Sequence, residues 1–189
     1  MDINFERKLL NYLYYDLNRL RYFVKDEIFE YDIQSSIHQY LKLSFNNKNV
    51  LIKRENKGKV DHVIQITDEN NRNIYILIEL KSFIKKHEKF TIKKIEGDIK
   101  KLYKKINENT EKTEGYLIIV IKESHLNNKD TNSSKFINVL KNNKRSYFFK
   151  INESLIRTRI IKSRKTMFLK KNKCNIHKDQ LRLFLIQIK

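Results

Sequence analysis

Apolar positions recur at helical spacing through residues 5–24, where Leu9, Leu13, Leu17 and Leu20 form one stripe of "FERKLLNYLYYDLNRLRYFV". A second helix is predicted over residues 26–44, with Asp26 and Glu27 suited to the positive end of its dipole. The period then shortens. "VLIKRE" at 50–55 reads as a strand with Gly58 in the turn beyond it, and strands follow at 60–67 and 74–81 around the turn-forming "DENNRN". Helical spacing returns over 91–109, with Ile92, Ile95, Ile99, Leu102 and Ile106 on one side. "GYLIIVI" at 115–121 is apolar throughout, as expected in the middle of a sheet. A polar loop is expected over 123–134, then a short helix near 135–143 and a strand at "SYFFKI". The tail from 153 to 189 mixes basic runs with "LRLFLIQI" and receives no assignment.

No repeat or linker interrupts this order, so a single α/β domain over residues 1–189 is the economical reading. Within it, 1–25 forms an N-terminal helix, 26–151 the core and 152–189 a basic C-terminal segment. The composition permits a sizeable core: 40% of the residues are hydrophobic. No apolar run reaches membrane-spanning length, and "MDINFERKLL" is charged too early for a secretory signal. The one cysteine, Cys174, excludes an internal disulfide and fits a reducing cytoplasm or nucleus.

Charge changes the picture most. Lys and Arg number 41 against 22 Asp and Glu, a formal net charge of +19. Such an excess attracts a polyanion, nucleic acid first, with an anionic membrane surface as the main competitor. An AT-rich genome would by itself enrich Lys, but would not leave the acids so outnumbered. The 3 glycines are scattered and build no GxxxxGK[ST], GxGxxG or GxSxG loop. Nucleotide hydrolysis, nicotinamide chemistry and a serine-hydrolase mechanism therefore lack support. Cys174 and His177 are spaced like half a zinc site, but no second pair accompanies them.

Three charges stand where apolar strands are expected: Asp61 at the entrance of the hairpin, and Glu79 and Lys81 near its exit. Alternation puts Glu79 and Lys81 on one face with Tyr75 and Leu77, while Ile76, Ile78 and Leu80 take the other. A turn centred on Asn70 sets Asp61 opposite Glu79, and one centred on Asn71 sets it opposite Lys81. Either register brings all three to the same face, with directly opposed Cβ atoms about 5 Å apart. Two such carboxylates repel unless a cation lies between them, and a hard divalent ion with oxygen ligands, Mg²⁺ above all, is the natural resident. A lysine beside it stabilises charge growing on a phosphorus centre or helps to deprotonate a water. The bland alternative is a solvated edge hairpin. It fits poorly with Glu79 following "YILI", because an unpaired carboxylate in a sheet interior is costly.

Asp61 followed by Glu79-Leu80-Lys81 at the end of the next strand resembles the PD-(D/E)xK nuclease superfamily, the restriction-endonuclease-like fold. "KREnkgkvDhviqi" and "yiliElKsf" are similar to its first three strands, and "IEGDIKKLYKKI" and "GYLIIVI" to its crossover helix and fourth strand. "EYDIQSSIHQYL" is similar to its leading helix, and the likeness spans about residues 26–121, more faintly to 151. Val60 stands where the family has proline.

The resemblance implies a central mixed sheet flanked by helices, here with an N-terminal helical extension, and Mg²⁺-dependent cleavage of nucleic acid in which Mn²⁺ substitutes. By position, Asp61 and Glu79 would be metal ligands and Lys81 the catalytic lysine. Glu30 is the candidate for the leading-helix acid and third ligand, on one stripe with Ile33, Ile37 and Leu41. Glu55 would reach the outer shell of the metal or pair with Lys53 or Arg54. His62 falls on the face opposite Asp61 and reads as a packed histidine. Ser82, Lys85 and Lys86 would touch the phosphate backbone. The run at 156–171, with Arg157, Arg159, Arg164 and Lys165, reads as a basic arm or a solvated helix face.

The expected activity is metal-dependent endonucleolytic hydrolysis of DNA, double-stranded by preference, in a restriction or mobile-element setting. A homodimer is expected if both strands of a duplex are cut. The rivals are a non-catalytic nucleic-acid-binding module on the same fold, a junction resolvase or repair nuclease, and a basic structural protein.

Overall fold

A computed structural model describes residues 3–24, 30–45, 49–54, 60–84, 91–127, 135–142, 144–151, 154–162 and 181–188. Two helices, α1 (Ile3–Val24) and α2 (Glu30–Ser44), precede strands β1 (Val50–Arg54), β2 (His62–Thr67) and β3 (Asn73–Phe83). Helix α3 (Ile92–Glu108) leads to β4 (Lys112–Lys122), the short helices α4 (Glu123–Asn127) and α5 (Lys135–Lys141), and strands β5 (Ser146–Ile151), β6 (Ser154–Lys162) and β7 (Leu181–Ile188). Among the described residues the strands form one sheet of 7 in the order β1-β2-β3-β4-β7-β6-β5. Only β3 and β4 among the described residues pair in parallel, with α3 as their crossover. The molecule is thus mixed α/β, a mostly antiparallel sheet flanked by helices with an N-terminal helical region.

Strand alternation divides the core. Leu77, Phe83, Leu117, Ile119 and Ile121 pack with Ile95, Ile99 and Leu102 of α3, joined by Phe136 and Leu140 of α5. Ile76, Ile78, Leu80, Tyr116, Ile118 and Val120 pack on the other face with Leu9, Leu13 and Leu17 of α1 and Ile33, Ile37 and Leu41 of α2. Covering both faces explains why β4 is apolar without alternation. Each such side chain taken fully from water contributes about 1.5–3 kcal/mol. At Gly115 α3 comes so close that an added Cβ would lie 2.6 Å from Ile106 Cδ1.

The β2–β3 hairpin settles the register. His62 pairs with Ile78 and Thr67 with Asn73, so the turn centres on Asn70. Asp68 Oδ1 accepts from the N–H groups of Asn70 and Arg72, and Asn71 takes the left-handed φ of 58° that asparagine tolerates. Between residues 123 and 127 a helical turn stands in place of the expected polar loop, with Leu126 buried against the core.

Residues 154–162 and 181–188 of the tail are also part of the sheet. Arg157 and Arg159 lie on strand β6 instead of a helix or arm, and β7 fills the place between β4 and β6. Residues 26–29 of the predicted second helix, and Gly58 with its turn, lie outside the described residues.

Candidate functional site

Strand β2 reaches only as far as His62, opposite Ile78, whereas β3 continues to Phe83. Beyond Ile78, backbone donors on that side of β3 need other partners. Two carboxylates supply them. Asp61 Oδ2 accepts from the Leu80 N–H at 2.7 Å, and Glu30 Oε2 accepts from the Ser82 N–H at 3.3 Å and its hydroxyl at 2.9 Å. Asp61 Oδ1 also accepts from Gln34 Nε2 at 2.8 Å, and Gln34 Oε1 accepts from Arg54 Nη2 at 2.7 Å. The Arg54 guanidinium lies 4.6 Å above the Tyr31 ring. Helix α2 thereby fixes the orientation of Asp61.

Glu79 and Lys81 project toward α3, on the face of Leu77 and Phe83. A connector between parallel strands must run back along them, so the pairing order reverses. Glu79 Oε1 accepts from Lys101 Nζ, while Lys81 Nζ lies 3.4 Å from Asp98 Oδ2. Asp98 and Lys101 are one helical turn apart on α3 and so meet the strand together. Glu79 is only 5% exposed, and its Oε2 has no hydrogen-bond partner among the described residues; nor has Asp98 Oδ2.

These groups act on one another. Burial pushes the Glu79 carboxyl up to about 7, with Lys101 pulling down and Asp61 and Asp98 pushing further up. Burial also raises Asp61, against the Leu80 N–H, with Glu30 adding to the rise and Lys101 and Lys81 opposing it. Asp98 is raised by burial despite Lys81 and Lys101. For Lys81, burial disfavours the charge, but Asp98 and Glu30 outweigh it and its pKa rises. The Lys81 ammonium therefore keeps its proton at neutral pH.

Glu79 and Lys81 share the α3 face, while Asp61, at the end of β2, rests on the Leu80 N–H and Gln34 of α2 and is near enough to bear on Glu79. Glu30 bears on Asp61 and Lys81. Its carboxylate is nevertheless tied to Ser82 at the rim. Among the described residues no three His, Cys, Asp or Glu side chains stand close enough to share one ion, so Glu30, Asp61 and Glu79 do not form a three-carboxylate cluster. Ser82 is buried on Glu30. His62 is fully buried on the opposite face against His38, ring centroids 5.7 Å apart, and burial lowers it to about 4. Neutral and enclosed, it is no general base. Arg159 is drawn to the buried Glu6 of α1, whereas Arg157 is exposed opposite Phe148 of β5. Asp26, Glu27, Glu55, Lys85, Lys86, Arg164, Lys165, Cys174 and His177 lie outside the described residues.

Sequence reasoning missed Gln34, Asp98 and Lys101. The signal on α3 was a lone aspartate among lysines, Asp98 in "GDIKKL", one turn before Lys101 and beside the apolar stripe. Among the described residues no helix is long and apolar enough to cross a membrane. Compared with models of protein families, with curated proteins and with solved structures, the chain matches none.

Proposed function

We propose that the chain is a metal-dependent endonuclease of restriction-endonuclease-like fold that hydrolyses DNA phosphodiester bonds. The observation that carries this reading is the nearness of the Asp61 and Glu79 carboxyls, with a buried Glu79 oxygen left open and the Lys81 charge acting on that carboxyl. The run from β2 through α3 to β4 supports the fold assignment, with β7, β6 and β5 extending the sheet beyond it. The charge of +19 supports a nucleic-acid partner.

The donor set fits a hard divalent cation such as Mg²⁺ or Mn²⁺, since both side chains offer oxygen and Glu79 Oε2 lacks a partner. Asp61 and Glu79 would hold the ion, and Glu30 would act from the rim through its charge. Such an ion supplies Lewis acidity and an activated water when bound. Asp61 is held for that task by the Leu80 N–H and by Gln34. Lys81 enters as an ammonium that stabilises charge on a phosphate oxygen, not as a base. Asp98 holds Lys81 in place at 3.4 Å. Duplex DNA is the preferred substrate, in a restriction or mobile-element setting, and cutting both strands calls for a homodimer. A junction resolvase or repair nuclease would carry the same site.

A second reading has its own support. Glu79 and Lys81 are each already ion-paired to α3, as they would be in a non-catalytic nucleic-acid-binding module that uses the charges to dock the helix. Cleavage assays separate the two. Duplex DNA of varied sequence, incubated with Mg²⁺ or with chelator, should be cut by the wild type only with metal. Asp61→Ala and Lys81→Ala should remain folded by circular dichroism and be inactive. Binding without cutting would favour the module, and cutting that survives both substitutions would remove the site.

A further inference from the structure

Lys101 is the one member of the cluster for which the proposed chemistry has no use, yet it makes the closest contact with Glu79. Its ammonium also acts on Asp61 and on Asp98. Glu30, Asp61, Glu79 and Asp98 thus face Lys81 and Lys101, and Lys81 lies nearest Asp98. The cation that Asp61 and Glu79 together require is, in the chain alone, the side chain of Lys101.

Its attachment allows it to leave. Lys101 stands on a flexible four-carbon stem, its side chain is 28% exposed, and its neighbours Lys100 and Lys104 on α3 are solvent-exposed. The ammonium can turn outward without movement of the helix. Glu79 cannot follow, being 5% exposed on a central strand. Its Oε2, without a partner among the described residues, shows that one ammonium does not satisfy the carboxylate.

We infer that Lys101 is a positioning residue that serves as the internal counter-ion of Glu79 and is displaced into solvent when a divalent cation binds Asp61 and Glu79. This inference rests on the metal-site reading above. It makes metal affinity a competition for one carboxylate: Lys101 is held on Glu79 Oε1, and an ion on the neighbouring open Oε2 would set a second positive charge against that ammonium. A lysine that merely docked α3 would stay on Glu79 at metal saturation.

Calorimetric titration with Mn²⁺ alone at pH 7.5 tests this on the full chain, beside Lys101→Met and Lys101→Arg. Removing the competitor should tighten Mn²⁺ binding about fivefold to tenfold, while Lys101→Arg, which keeps the charge, should match the wild type or bind more weakly. A second readout needs no variant. The ammonium of Lys101 should give a hydrogen-bonded ¹H–¹⁵N side-chain signal that disappears as Mg²⁺ saturates the wild-type chain. Equal Mn²⁺ affinity for wild type and Lys101→Met would overturn the counter-ion inference and leave the metal site standing. So would a Lys101 signal that persists at saturation. If neither form binds Mn²⁺, the metal site and the inference fall together.

Discussion

The two faces of the central sheet carry charged clusters that look alike in composition and differ in closure. On the α1 face, Tyr116, Gln187 and Arg159 form a row across β4, β7 and β6. Glu6 of α1, only 2% exposed, caps that row by accepting from Arg159. Tyr116 donates to Glu114 at 2.7 Å and accepts from Gln187 Nε2 at 3.2 Å. Arg159 Nε and Gln187 Oε1 of that cluster are buried without a partner among the described residues, but none of its carboxylate oxygens is. On the α3 face, at the neighbouring rung, Glu79 Oε2 is buried and open, and Asp98 Oδ2 has only the Lys81 ammonium at 3.4 Å. The first cluster ties an N-terminal helix to C-terminal strands. The second holds more negative charge than its lysines close, an arrangement that costs stability and gains a use only with a further cation.

The sharpest way to break this contrast is to remove the carboxylate from the closed cluster. Glu6→Ala leaves the Arg159 guanidinium partly buried and unpaired, and should lower stability by about 3 kcal/mol in urea denaturation. A loss below about 1 kcal/mol would show that the cluster is not what fastens α1.

The open cluster should respond in the opposite direction. Its folded-state pKa of about 7 lies above the ordinary 4.5, so the folded chain holds a proton there that the unfolded chain has released. Stability from the neutral carboxyl is fully present below pH 4.5 and is lost as pH rises through about 7. Glu79→Gln should flatten that decline and make the chain more stable at pH 8, by roughly 2 kcal/mol, while abolishing cleavage. Equal pH profiles for the two proteins would contradict the burial argument.

A smaller effect tests whether the site depends on how closely α3 sits on the sheet. Gly115→Ala places a methyl against Ile106 and should cost about 1–2 kcal/mol. Gly115 pairs with Leu77, two residues from the rung of Glu79 and Leu117, so a shift of α3 there should also alter the pH dependence attributed to Glu79.

Local pattern makes half of the site legible in the sequence. Alternation fixed the face of Glu79 and Lys81, and the Asp/Asn-rich turn limited the hairpin to two registers that agree about Asp61. The other half depends on packing. Which side of α3 meets β3 is decided by Ile95, Ile99 and Leu102 entering the core, so Asp98 and Lys101 could not be assigned from spacing within one helix. Arg159 misled because its partner, Glu6, is on the first helix, and a guanidinium among basic neighbours reads as solvated. Strand β6 does alternate, with Ile156, Thr158 and Ile160 buried, but its charged positions obscured the period. The insertion of β7 between β4 and β6 is a non-local pairing with no local signature.

Anomalous diffraction from Mn²⁺-soaked crystals tests the central claim most directly, because it reads the position of the ion and of Lys101 together. The account predicts one peak within about 2.3 Å of an Asp61 oxygen and of Glu79 Oε2, with the Lys101 ammonium turned away from Glu79. A site with no peak at saturating Mn²⁺, and with Glu79 still paired to Lys101, would contradict it.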